Sequence, residues 1–278
     1  VVVSFDRVNH DILMSRVARR VSDRRVLKLI RSFLTAGVLE SGLVGATDEG
    51  TPQGGPLSPL LSNLLLDDLD RELERRGLRF VRYADDCNVY VRSERAGQRV
   101  MGGLKAFLTS KLKLKVNEAK SAVARPHTRK FLGFTFLGRE QVRRRIAPKA
   151  LARFKDRVRE LTQRSRGISV DQLIGTLKRY LTGWRGYFGF CETPSVLKQL
   201  DEWTRRRLRC FFWKQWKRGR TRFRELVARG VDRNLAAQTA GSPHGAWRLS
   251  HSPALNKALP NRYFRSLGLP SLGPSPIN

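Results

Sequence analysis

Carboxylates are in short supply: 24 Asp and Glu stand against 55 Lys and Arg in 278 residues, a formal net charge of +31. A soluble fold gains nothing from that much self-repulsion. The deficit points to a polyanionic partner, and nucleic acid is the usual one. Cysteine is scarce too. Cys87, Cys191 and Cys210 are odd in number and far apart, which argues against a disulfide framework and against a zinc site. With no signal segment in view, a reducing cytoplasm is the expected setting. No long apolar run or amphipathic anchor stands out, so an anionic membrane is a poorer candidate partner than nucleic acid. No Met precedes Val1, as expected of a fragment edge.

The basic excess is uneven. Residues 1–140 hold 25 Lys and Arg against 16 Asp and Glu, whereas residues 141–278 hold 30 against 8. The length allows one large domain or two modest ones. Asp11 to Arg20 and Asp23 to Thr35 read as helices. Asp23 caps the second, and Val26, Leu29, Ile30 and Phe33 share one face. Asp6 reads as the cap of the first. Gly50 to Pro56 is a permissive turn. A leucine-rich helix follows, with Leu57, Leu60, Leu61, Leu64, Leu65, Leu69 and Leu73 at helical spacing, and it ends at Gly77. A hairpin is expected over Arg79 to Val91, a helix over Glu94 to Ser110, and a second hairpin over Phe131 to Ile146 that turns at Gly138 to Glu140. This irregular alternation predicts an α+β domain over residues 1–147. From Pro148 the pattern becomes helical. Three amphipathic stripes, beginning at Leu151, Leu173 and Val196, predict a small bundle over residues 148–229. Frequent Gly, Ser and Pro predict a looser tail over residues 230–278.

The most pointed signal is Tyr83-Ala84-Asp85-Asp86. Two adjacent carboxylates sit between the strand-forming runs Phe80-Val81 and Val89-Tyr90-Val91. Paired acids at a hairpin tip repel each other, and a divalent cation relieves the repulsion. Mg²⁺ takes oxygen ligands, commonly one or two carboxylates plus substrate phosphates. Phosphoryl or nucleotidyl transfer is the chemistry this suggests. A four-residue match is only moderately specific, and a solvated Asp-Asp turn is the plain alternative. Pro52-Gln53-Gly54 upstream, and Asn117 to Lys120 and Phe131 to Phe134 downstream, strengthen the functional reading.

Together these stretches resemble the reverse transcriptases of mobile group II introns, also called maturases. The resemblance rests on Phe5-Asp6-Arg7-Val8-Asn9-His10-Asp11, Gly50-Thr51-Pro52-Gln53-Gly54-Gly55, Leu57-Ser58-Pro59-Leu60-Leu61, Tyr83 to Asp86 and Phe131-Leu132-Gly133-Phe134. Leu177 to Phe188 is similar to the maturase-specific thumb. Trp247 to Ser250 and Leu267 to Pro270 also look familial. The resemblance covers nearly the whole chain. It implies a polymerase palm with an antiparallel sheet, fingers largely missing, and then an all-α three-helix thumb.

It also implies an RNA-directed DNA polymerase using two Mg²⁺ ions, with a maturase role in intron splicing. Asp85 would bind metal, and Asp86 would hold the turn or a metal. Tyr83, Gln53 and Gly54 would lie near the incoming nucleotide or primer end, and Lys120 near the triphosphate. Phe131, Leu132 and Gly133 would form the primer grip. Each has a plainer reading: a packed strand aromatic for Tyr83, a loop-to-helix entry for Gln53 and Gly54, one surface lysine among many for Lys120, core for the Phe131–Phe134 aromatics. Lys178, Arg179 and Arg185, then Arg205, Arg206, Arg207 and Arg209 on the next helix, would track phosphates. Trp184, Tyr187, Trp203, Trp213 and Trp216 read as core rather than stacking platforms. The implied partners are intron RNA, an RNA template with a DNA primer, and deoxynucleoside triphosphates.

The chain departs from the family in one place. Family members carry a metal-binding Asp several residues before the Phe-Asp matched by Phe5-Asp6, and Val1-Val2-Val3-Ser4 offers none. Weak polymerase activity is therefore expected, and a non-catalytic, RNA-binding maturase is the alternative reading. A general basic DNA-binding protein would explain the charge but not the motifs. No zinc-finger or His-Asn-His pattern follows the thumb, so no DNA-cleavage domain is expected.

Overall fold

The computed structural model describes residues 2–4, 8–36, 38–40, 43–45, 56–138, 141–163 and 167–273. They form an α+β protein, rich in helix, with small two-stranded antiparallel sheets. Two compact units meet at residues 124 and 125.

The first unit runs β1 (Val3–Ser4), α1 (His10–Val17), α2 (Arg24–Thr35), β2 (Val38–Glu40), β3 (Leu43–Gly45), α3 (Ser58–Arg75), β4 (Arg79–Tyr83), β5 (Asp86–Tyr90), α4 (Glu94–Lys111) and β6 (Lys115–Val116). Caps set the helix starts. Asn9 accepts a hydrogen bond from the Ile12 N–H at 3.0 Å and so begins α1. Asp6, expected in that role, lies outside the described residues. Asp23 caps α2 through the Arg25 and Val26 N–H groups, as its position predicts. Gly77 takes a φ of 65° just past α3, where a residue without a Cβ costs least. Leu61, Leu65, Leu66, Leu69 and Leu73 of α3 are buried against Leu13, Val17, Leu34, Leu104, Leu108 and Cys87. Full burial of each such side chain is worth roughly 1.5–3 kcal/mol. Burial also pushes the Cys87 thiol up to about 11.

One face is corrected. Leu34 of α2 is buried, and Leu27 and Ile30 pack against the core, while Val26 and Leu29 are exposed. The helix is apolar on more than one side, so the expected face is right at Ile30, which packs inward, and wrong at Val26 and Leu29.

The second unit begins with β7 (Phe134–Leu137) and β8 (Arg143–Ile146). Next come α5 (Pro148–Leu161), α6 (Val170–Phe188) and α7 (Pro194–Gln215). The compact units divide ahead of the change in character at Pro148, so the hairpin folds with the helices: Phe134 and Ile146 join one core with Phe154, Leu177, Trp184, Phe188 and Leu208. Arg139 and Glu140 of the expected turn lie outside the described residues. A capping box at Ser169 and Gln172 starts α6, satisfying two end groups reciprocally.

Beyond Gly230 the chain is more regular than its Gly, Ser and Pro content suggests. After α8 (Gly219–Ala228), which precedes Gly230, it forms α9 (Arg233–Ala240), α10 (Ala246–Leu249), α11 (Pro253–Ala258) and α12 (Asn261–Ser266). Ala236, Leu249, Leu255, Leu259, Phe264 and Leu272 are buried in the same core. Those turn-prone residues stand at the starts of short helices instead, Gly245 before α10, Ser252 before α11 and Pro260 before α12, while Asp232 caps α9. Asp201 of α7 ties down the end of this segment. Its carboxylate accepts from Ser271 Oγ at 2.6 Å, from the Leu272 N–H at 3.0 Å and from the Gly273 N–H at 3.3 Å.

Candidate active site and nucleic-acid interface

β4 and β5 pair antiparallel with Tyr83 opposite Asp86. The loop between them is only Ala84-Asp85. Such a tight connection needs unusual backbone angles, and Ala84 takes a φ of 51°, which strains a residue that has a Cβ. Arg82 holds the strained loop. Its Nη1 donates to the Ala84 carbonyl at 2.9 Å and to Asn63 Oδ1 at 2.8 Å. Its Nε donates to Asp70 at 2.7 Å, and its Nη2 donates to the other Asp70 oxygen. Asn63 and Asp70 both lie on α3, so this guanidinium staples the acidic turn to the leucine-rich helix. The charge-assisted bonds to Asp70 raise the Arg82 pKa above its ordinary value, against the effect of desolvation.

Asp85 and Asp86 are half-buried at this tip, and Tyr83 beside them is 63% exposed. Tyr83 is therefore not a packed strand aromatic. Val2 bridges to Asp86, and β1, which continues from it, pairs with β6. The Val2 carbonyl accepts from the Asn117 N–H at 2.9 Å, and the Val2 N–H donates to Ser121 Oγ at 3.0 Å. The loop holding Lys120 is thereby attached to the strand that flanks Asp86. Within it the Lys120 N–H donates to Asn117 Oδ1 at 3.1 Å, and the side chain is exposed. Gln53 and Gly54 lie outside the described residues. Among the described residues no group of three or more His, Cys, Asp or Glu could hold a metal ion.

In the second unit, Phe131 and Phe134 exchange both backbone hydrogen bonds at 2.9 Å across Leu132-Gly133. Both loop residues have positive φ, 50° for Leu132 and 80° for Gly133, the pattern of a tight hairpin turn. A Cβ on Gly133 would lie 3.0 Å from the Phe188 ring. The glycine thus permits close approach to a neighbouring aromatic. Phe134 is core, Leu132 is exposed, and Tyr187 Oη donates to the Leu132 carbonyl at 2.9 Å.

The basic residues divide. Lys178 and Arg179 are exposed on α6, and Arg185 is half-buried. Arg205 and Arg209, expected on a phosphate-tracking face, are buried instead. Arg205 lies 3.7 Å from Asp201, and Arg209 Nε donates to the Leu259 carbonyl at 3.0 Å. They are four residues apart on the inner side of α7, where Arg209 ties the C-terminal helices down and Arg205 pairs within its own helix. Burial lowers the Arg209 pKa, and neighbouring Arg205 adds to the effect. Arg206 and Arg207 on the outer side keep partial exposure. Trp184, Trp213 and Trp216 are buried and Trp203 half-buried, as expected of core, but Tyr187 is 48% exposed.

Arg82, Asn63, Asp70 and the Tyr187 hydroxyl were not singled out from the sequence. One signal was available: alternation along β4 puts Arg82 inward with Phe80, and an inward cation needs a partner. Nothing local in the sequence points to Tyr187 and Leu132, which are 55 residues apart.

Two family models match consecutive parts of the chain: reverse transcriptase (RNA-dependent DNA polymerase) over residues 3–136 and group II intron, maturase-specific domain over residues 151–230. The chain is 33% identical over 175 residues to Protein YkfC of Escherichia coli (strain K12), covering 51% of this chain and 45% of that protein. It is 40% identical over 78 residues to the group II intron-encoded protein LtrA of Lactococcus lactis subsp. cremoris, covering 28% of this chain and 13% of that protein. It is 39% identical over 70 residues to an uncharacterized 91 kDa protein in a cob intron of Schizosaccharomyces pombe, covering 25% of this chain and 9% of that protein. The chain spans less than half the length of these curated relatives. The acidic turn falls within the first match and the basic bundle within the second, and the chain belongs to the reverse transcriptase/maturase family of group II intron-encoded proteins.

Proposed function

We propose that the chain serves RNA-directed DNA synthesis by a mobile group II intron and assists splicing of that intron by binding its RNA. In this reading residues 1–147 supply a polymerase palm, residues 148–229 a thumb, and residues 230–278 a segment that closes over the thumb. The observation that carries it is the Ala84-Asp85 loop, held by Arg82, which presents Asp85 beside Asp86 at the strand of Val2. Two half-buried carboxylates are the donors Mg²⁺ takes when substrate phosphates complete its shell. When bound, Mg²⁺ supplies Lewis-acid stabilisation of the charge on the reacting phosphate. Asp85 and Asp86 would hold it, Tyr83 would line the site, and Lys120 would offer a cation to the departing pyrophosphate. Gln53 and Gly54 would approach the nucleotide. Phe131, Leu132 and Gly133 would grip the primer, with the turn held by Tyr187.

Substrates in this reading are template RNA, DNA primer and deoxynucleoside triphosphates. Lys178, Arg179, Arg185, Arg206 and Arg207 would contact phosphates. A second reading, an RNA-binding maturase without polymerisation, is favoured by the basic excess of residues 141–278, 30 Lys and Arg against 8 Asp and Glu. The two readings separate in Asp85→Ala. Where both activities exist, Mg²⁺-dependent primer extension on poly(rA)/oligo(dT) should fall about 100-fold or more, while intron RNA affinity and splicing stay unchanged. Loss of splicing in Asp85→Ala would contradict separable functions.

A further inference from the structure

We infer that Trp247, pinned by Arg206, is a stacking platform for an unpaired base of bound RNA. The inference rests on the RNA-binding reading above and deepens it. Trp247 is 40% exposed, against 9%, 1% and 7% for Trp184, Trp213 and Trp216. An exposed indole is costly unless it is anchored or used, and this one is anchored by cations while much of its surface stays open. The Arg206 guanidinium lies 4.1 Å from the ring centroid. The same side chain donates from Nη2 to the Trp247 carbonyl at 3.1 Å and from Nε to Ser250 Oγ at 3.4 Å. Ser250, fully buried, donates in turn to the Trp247 carbonyl at 2.6 Å. The short helix α10 is thus fastened to α7, and the indole is held in place before any ligand arrives.

The charge around it suits an anionic ligand. Arg207 also lies within 5.9 Å of the ring, and Arg248 is exposed next in sequence. Among the described residues, neither Arg206 nor Arg207 has a carboxylate within ion-pair distance. Cations of this kind contact phosphates, while an aromatic face takes a base. Bases in a duplex have no free face to offer, and RNA readers select unpaired bases by such stacking. Unpaired RNA therefore fits this patch better than a helix does.

The test uses the full chain and fluorescence titration with single-stranded oligo(A) RNA and with a duplex RNA of equal length. Trp247→Leu should weaken single-strand binding about 5- to 150-fold, the range of one lost stacking contact. Duplex binding should stay within about twofold on the same principle, because phosphate contacts are retained. Trp247→Phe keeps an aromatic face and should restore most of the single-strand affinity while abolishing the tryptophan quenching that accompanies it. If Trp247→Leu binds both RNAs like wild type, or if both affinities fall together without rescue by Phe, the platform is refuted and RNA binding by the chain still stands. If the wild-type chain binds neither RNA, the RNA-binding reading fails along with the platform.

Discussion

Arg82 shows how one side chain shapes the candidate site without belonging to it. Its four hydrogen bonds join the Ala84 carbonyl to Asn63 and Asp70 of α3, so a strained turn is fixed to a helix of the core. The carboxylate pair and its strand setting could be read from Tyr83 to Asp86, because alternation and turn preference are local properties. The clamp could not, because it depends on how α3 packs. Arg205 and Arg209 show the converse limit. Counting charges along α7 puts all its arginines on one binding face, yet a helix has an inner side, and these two are on it. Gly133 is a third case. Its need for a positive φ is visible in the Leu132-Gly133 turn, but the neighbour it approaches is Phe188, far away in sequence. Gly133→Ala should cost about 2 kcal/mol or more, combining left-handed backbone strain with displacement of a buried ring. Denaturant midpoints measure this, and a loss below about 0.5 kcal/mol would argue against that packing.

Helices were easier to read than the contacts between them. The leucine spacing of α3, the Asp23 cap of α2 and the three stripes of α5 to α7 are periodic or terminal signals. The outward apolar residues of α2 misled because both of its sides carry aliphatic side chains. The order beyond Gly230 was missed because short helices there depend on partners in α7, chiefly Asp201, Arg206 and Arg209. Asp201 is the clearest of these. It is buried and accepts from Ser271, Leu272 and Gly273 while facing Arg205. Asp201→Ala should destabilise the chain by about 3 kcal/mol, since it strands two N–H groups and leaves Arg205 without its carboxylate. Hydrogen exchange should show the Leu272 and Gly273 amides losing protection before the α6 amides do. Retained protection at Leu272 would mean that apolar packing, not the carboxylate, holds the segment.

For the molecule as a whole, charge and chemistry are partitioned. The carboxylate pair lies in the less basic stretch, and residues 141–278, with 30 Lys and Arg against 8 Asp and Glu, carry the larger positive field. Such a field binds phosphate backbones with little sequence preference and a steep dependence on salt. Among the described residues no helix is long and apolar enough to cross a membrane. Whether the acidic turn holds a divalent cation decides between polymerisation and RNA binding alone. Iron(II)-directed hydroxyl-radical cleavage of the polypeptide, mapped along the full chain, asks this directly. Cuts should concentrate at residues 83–87 and around Val2, be suppressed by excess Mg²⁺ and be lost in Asp85→Asn. Uniform cleavage, or a pattern unchanged in Asp85→Asn, would contradict cation binding at the turn.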